Sequence, residues 1–130
     1  MWALPQTLEI LNISNNQLKK LNPEVMRTLS NLTTLELSKN GLESLDGIQT
    51  SRRLKRLISK NNYVQYLEPL SGLEMLIEVD LENNLVDSSN SVLKFIKGKK
   101  DILVLNLKLA PLIVKVQNYE EFIQELESQN

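Results

Sequence analysis

Neither histidine nor cysteine occurs in the 130 residues. The first absence removes the usual general base, the Ser–His nucleophile pairing and the commonest metal ligand. The second removes thiol nucleophiles, thiolate zinc sites and disulfides. Glycine is scarce too: Gly41, Gly47, Gly72 and Gly98 stand isolated, so no glycine-rich phosphate loop can be built. No stretch approaches the ~20 apolar residues of a membrane span. The N-terminus lacks a charged region followed by a long apolar run, so no signal peptide is expected. Charge is balanced: 15 basic and 16 acidic residues leave a net charge of −1, which gives no global field toward nucleic acid or an anionic membrane. Sequons start at Asn12 and Asn31. Asn12 falls on an expected strand rather than in a surface loop, so glycosylation is not expected there. These exclusions favour an intracellular, cytoplasmic protein.

What is present is one segment, repeated. It reads Leu8-x-x-Leu11-x-Ile13-x-x-Asn16-x-Leu18, then Leu32-x-x-Leu35-x-Leu37-x-x-Asn40-x-Leu42. It returns as Leu54-x-x-Leu57-x-Ser59-x-x-Asn62-x-Val64 and as Leu76-x-x-Val79-x-Leu81-x-x-Asn84-x-Val86. The Asn residues are 24, 22 and 22 positions apart, a period that marks a solenoid of stacked units. A degenerate fifth unit follows, Ile102-x-x-Leu105-x-Leu107-x-x-Ala110-x-Leu112, with Ala110 in place of Asn and Pro111 beside it. The expected fold is α/β: a leucine-rich repeat solenoid coiled as a right-handed superhelix. Its concave sheet should have about five parallel strands, with short helical or extended segments on the convex side. Residues 1–7 form a short N-terminal cap, 8–112 the repeat domain and 113–130 a C-terminal segment with a capping helix.

Each unit contributes one short strand whose period-2 alternation sends Leu35 and Leu37 inward and Thr34, Glu36 and Ser38 outward. The turn after it leaves backbone N–H and C=O groups without sheet partners. An Asn side chain carries one amide and one carbonyl and can serve both. Asn16, Asn40, Asn62 and Asn84 are therefore expected to form a ladder inside the turns. Ser59 is the exception in this pattern, a polar residue at a core position.

A helix is expected from about Asn90 to Lys97, with Asn90 as N-cap, Val92, Leu93 and Ile96 as its apolar face and Gly98 closing it. A second is expected from about Tyr119 to Glu127, where Asn118 and Glu121 resemble a capping box. Its stripe of Tyr119, Phe122, Ile123 and Leu126 either covers the open end of the stack or docks in a partner's groove. At the other end, Trp2, Leu4 and Pro5 alone can cover the first strand, and an exposed edge strand invites pairing with another copy.

The alternation also maps the outward face. Its first column is Ile10, Thr34, Arg56, Glu78 and Val104. Its second is Asn12, Glu36, Ile58, Asp80 and Asn106, and its third Ser14, Ser38, Lys60, Glu82 and Lys108. The fourth strand shows three carboxylates, which an open surface would solvate, so paired-carboxylate catalysis of the glycosidase kind is not expected. Opposite them stand Arg56 and Lys60 with Ile58 between, and Tyr63 and Tyr66 follow. Two readings stand level. In one, Arg56 pairs with Glu78 and Lys60 with Glu82, which only keeps the face soluble. In the other, Glu36, Arg56, Ile58, Lys60, Tyr63, Glu78, Asp80 and Glu82 form a mixed-charge site that anchors a protein partner. A further cluster, Lys94, Lys97, Lys99 and Lys100, suits the C-terminal end of the Asn90 helix and reads as a solvated face.

The 22-residue units, with Leu42-x-x-Leu45-x-x-Ile48 and Val64-x-x-Leu67-x-x-Leu70 on their convex side, resemble the short-repeat intracellular leucine-rich repeat family. That family includes regulatory subunits of protein phosphatase 1, an axonemal dynein light chain, a spliceosomal component and centrosomal proteins. The ending resembles the C-terminal cap many of them share. It departs where the family has Tyr-Arg in the helix and Leu-Asp on the last strand, for here stand Ser91-Val92-Leu93-Lys94 and Leu105-Asn106. With the exclusions drawn above, the expected function is a non-catalytic protein-interaction module with no cofactor, metal, small-molecule substrate or membrane, and nucleic acid is not the expected partner. Its alternative is a structural subunit or homo-oligomer joined through the solenoid edges and the C-terminal helix.

Overall fold

The computed structural model describes residues 5–99, 101–112 and 124. Five strands of three residues each lie in one parallel sheet in chain order: β1 (Ile10–Asn12), β2 (Thr34–Glu36), β3 (Arg56–Ile58), β4 (Glu78–Asp80) and β5 (Val104–Asn106). Register is uniform. Leu11, Leu35, Leu57, Val79 and Leu105 stand abreast, as do Ile10, Thr34, Arg56, Glu78 and Val104. The columns expected from the alternation are thus the columns of the sheet.

The chain returns on the other side through compact segments. These are a helix α1 (Pro23–Thr28), 3-10 turns at Ile48–Thr50 and Glu68–Leu70, and a helix α2 (Ser89–Gly98). The core lies between these segments and the sheet. Leu35, Leu37, Leu42, Leu45, Ile48, Leu54, Leu57, Val64 and Leu70 are all wholly buried. Helix α1 went unread in the sequence although its signals are there. The Asn22 side chain accepts from Glu24 N at 2.9 Å, Pro23 occupies the first turn and Met26 is buried. Helix α2 starts earlier than expected. Its N-cap is Ser88, whose hydroxyl accepts from Ser91 N at 3.2 Å, so Asn90 lies inside the first turn. Val92, Phe95 and Ile96 are its buried residues, whereas Leu93 is only half-buried.

The Asn ladder forms, and it is graded. Asn62 Oδ1 accepts from Asn40 N (3.1 Å) and Leu42 N (3.2 Å), while its Nδ2 donates to Leu37 O (3.0 Å). Asn40 serves the first turn in the same way, accepting from Asn16 N at 3.1 Å and Leu18 N at 3.2 Å. Asn84 accepts from Val64 N (3.0 Å) and donates to Ser59 O (2.8 Å). Each rung therefore joins two units. Asn16 has no earlier turn to serve among the described residues; it donates to Ile13 O and Ser14 O and stays exposed. Ser59 is also accounted for: it is fully buried, and its hydroxyl accepts from Asn62 Nδ2 at 3.0 Å.

One regularity escaped the sequence reading. The residue before each ladder position, at Asn15, Lys39, Asn61, Asn83 and Leu109, has a positive φ between 55 and 65°. Asn tolerates this left-handed conformation and fills three of the five places, but Leu109 does so at a steric cost. The expected C-terminal helix from Tyr119, the Trp2 and Leu4 cap, and Lys100 lie outside the described residues.

Candidate partner-binding face

Strands β3 and β4, with Glu36 from β2, bring the predicted residues together because parallel pairing in register sets equivalent positions side by side. Arg56 Nε lies 3.6 Å from Glu78 Oε1, as the column predicts. The second predicted pair is corrected: Lys60 Nζ lies 3.5 Å from Asp80 Oδ2, not from Glu82. Glu82 instead accepts from Asn106 Nδ2 at 3.2 Å. The cause is local. Asp80 Oδ1 accepts from Glu82 N at 3.1 Å, an Asx turn that holds the Asp80 carboxylate over the sheet, within reach of Lys60. Asn12 with Ser14 N, and Asn106 with Lys108 N, make the same turn at 3.0 Å each.

This geometry changes the roles within the site. Asp80 is only 8% exposed, so it is not the solvated carboxylate expected of an open face. It fixes the end of β4 and the position of the Lys60 ammonium. Ile58 is half-buried between β2 and β4 rather than projecting freely. Glu36, Glu78, Lys60 and Glu82 are likewise partly exposed, and Arg56 more so. Tyr63 and Tyr66 stand out from the turn after β3 at 56% and 59% exposure, with Leu85 exposed one unit further on. The backbone repeats there too, since Tyr63 N donates to Leu42 O (2.7 Å) and Leu85 N to Val64 O (2.8 Å). Tyr63 therefore lies beyond the ends of the strands, beside the charged columns rather than within them.

The lysine cluster divides. Lys94 and Lys97 are exposed, but Lys99 is buried, contrary to the expected solvated face. Its ammonium donates to the Ser71 carbonyl. Burial lowers the Lys99 pKa from the usual lysine value, against the opposing field of Glu74. Lys99 lines a cleft of about 280 Å³ between the Glu68–Leu70 turn and α2, floored by Leu67 and Phe95. Among the described residues no helix is long and apolar enough to cross a membrane.

Comparison with known proteins agrees with the architecture. A family model described as leucine rich repeat matches residues 6–64. Human geranylgeranyl transferase type-2 subunit alpha is 36% identical over 77 residues, which are 57% of this chain and 13% of that protein. Human leucine-rich repeat-containing protein 56 is 35% identical over 85 residues, covering 65% of this chain and 16% of that protein. This chain thus spans a small part of each relative, and the similarity carries the repeat rather than the rest of either protein. A leucine-rich repeat protein of Leptospira interrogans superposes with a TM-score of 0.73 at 26% identity, over 95% of this chain and 30% of that one. With five in-register strands, an Asn ladder and these likenesses, the chain has a leucine-rich repeat fold, and domains of this kind generally serve protein–protein interaction and are generally non-catalytic.

Proposed function

We propose that the chain binds a protein partner through the concave face of its sheet, centred on β3 and β4. The observation that carries this reading is a half-buried Ile58 enclosed by two cross-strand ion pairs, Arg56–Glu78 and Lys60–Asp80. An apolar centre ringed by charges whose geometry is already held suits an anchor residue of a partner. Little side-chain entropy remains to be lost on binding. Glu36 and Glu82 flank the pairs without an ion pair of their own among the described residues and select for cations at the periphery. Tyr63 and Tyr66 extend the contact beyond the strand ends. Residues 8–112 supply the repeat domain, residues 1–7 and 113–130 its flanking segments.

The test is affinity capture from cell lysate, read by mass spectrometry, comparing the chain with Ile58→Glu and Lys60→Glu variants. Both positions are partly exposed, so folding should be retained, as a circular dichroism melt would check. Partners lost selectively by the folded variants support the reading; unchanged capture overturns it. Asp80 is a poor choice for this test because its carboxylate also holds the β4 turn.

A second reading, association through the edge of the stack, has one observation in its favour. Ile10 on β1 is 65% exposed, and Leu8, Leu11, Ile13 and Leu18 are only partly buried. Sedimentation of the wild type against Ile10→Glu decides it, since a self-associating edge would disperse.

A further inference from the structure

The ends of the strands where the chain enters the sheet carry a second row of side chains, separate from the face just described. Thr33 N donates to Glu9 O (2.7 Å), Lys55 N to Thr33 O (2.9 Å), Ile77 N to Lys55 O (2.8 Å) and Leu103 N to Ile77 O (2.8 Å). Glu9, Thr33, Lys55, Ile77 and Leu103 therefore occupy equivalent places along one rim. The third unit makes its part of that rim basic through the run Ser51-Arg52-Arg53-Leu54-Lys55-Arg56, in which Ser51 and Leu54 are fully buried. All four cations are exposed. Arg56 belongs to the Glu78 pair and Arg53 Nη1 donates to Asn31 Oδ1 at 3.1 Å, a neutral partner. Arg52 and Lys55 have no ion pair among the described residues.

The fourth and fifth units continue the rim with apolar side chains. Met75, one repeat on from Arg53, is 44% exposed, and Leu103 and Val104 are 79% and 47% exposed. Burying Leu103 and Met75 against a partner would remove apolar surface from water, which favours association. Lys55 and Leu103 are two strand spacings apart, about 10 Å, which an extended chain covers in about three residues.

We propose that this rim binds an extended acidic peptide segment, with carboxylates against Arg52, Arg53 and Lys55 and an apolar side chain about three residues further on against Met75 and Leu103. Guanidinium groups match carboxylates in fork geometry, Arg52 and Lys55 have no ion pair to give up among the described residues, and Arg53 gives up only a neutral amide partner. Glu9 and Asp101 stand exposed at the two ends of the rim, and Glu74, one repeat on from Arg52, lies beside Met75. A peptide with its acidic end on the third unit and its apolar side chain on the fourth and fifth keeps its carboxylates from these three, whereas a broad sheet of anionic headgroups would meet them all. A nucleic-acid strand would seek aromatic faces beside the cations, and Tyr63 and Tyr66 project at the other ends of the strands. The site is independent of the concave-face reading and stands or falls without it.

The experiment is fluorescence anisotropy of a labelled synthetic peptide with two adjacent glutamates and a leucine three positions on, titrated with the full chain. Binding that weakens as salt is raised supports the proposal. So does a loss of roughly tenfold or more in affinity in an Arg52→Glu/Arg53→Glu/Lys55→Glu variant. Leu103→Glu, at a position too exposed to disturb the core, should weaken the same peptide, and replacing the peptide's leucine by serine should do likewise. Equal binding by the charge-reversed chain overturns the proposal. So does association with phosphatidylserine vesicles in the absence of any peptide binding.

Discussion

The first and third units carry the same motif, yet they occupy very different environments. In the third, Leu57 is completely buried and Asn62 serves two backbone N–H groups and a carbonyl of its neighbour. In the first, Leu11, Ile13 and Leu18 are only partly buried, and among the described residues the Asn16 side chain bonds only within its own turn. The difference teaches that a repeat does not complete its own core. Its stability is largely a nearest-neighbour quantity, set by the unit stacked on each side. A residue's place in the stack thus decides what the motif is worth.

Mutations can break that comparison or sharpen it. Leu57→Ala should cost ~2–5 kcal/mol in chemical denaturation, through a cavity the packed units cannot close, and Leu11→Ala about 1–2 kcal/mol. Equal costs would mean that the first unit is covered as fully as the third. Asn62→Ala comes next, at about 2–3 kcal/mol, because it orphans buried N–H and C=O groups, against less than about 1 kcal/mol for Asn16→Ala. Leu109→Asn should leave stability unchanged or raise it by up to about 1 kcal/mol, by relieving a left-handed Leu. Arg56→Ala should cost less than about 1 kcal/mol, since that pair is largely solvated.

The smallest effect expected is one of pH, and it concerns Lys99. Burial lowers its folded-state pKa below that of the unfolded chain, so the unfolded state holds the proton more tightly. Its charged form therefore weakens the fold at neutral pH, and stability should rise as pH climbs from the lowered value toward 10.5, the ordinary value. Lys99→Met should abolish that rise in denaturation midpoints measured across the range. An unchanged slope would show that the buried ammonium is not its source.

Much of this fold was legible in the residues because a solenoid repeats a local rule. The apolar positions announced the strands, and Asn at a constant offset announced the ladder. The outward columns came from the alternation and match the sheet register throughout. The polar choices were harder. Ser88 rather than Asn90 caps α2, although both are capable caps, because only the packing of Val92, Phe95 and Ile96 decides where the helix begins. The short α1 was overlooked although Asn22-Pro23-Glu24 is a usable start signal, since its single buried residue, Met26, gives no stripe. The candidate site was half readable. Its residues and neighbours followed from the columns, but the choice of Asp80 over Glu82 by Lys60 did not.

By itself, then, the sequence determined the architecture, the strand register, the ladder and the set of side chains that share each face. These depend on periodicity and on the hydrogen-bonding capacity of single residue types, which are local. Only the tertiary structure decided how far each equivalent residue is removed from water, which carboxylate a lysine meets, and that Lys99 is drawn inside. It also set the cations of the third unit beside the exposed Met75 and Leu103 of the next two. Those outcomes depend on stacking one unit against another, where distances of a few ångströms and the exclusion of water set the energies.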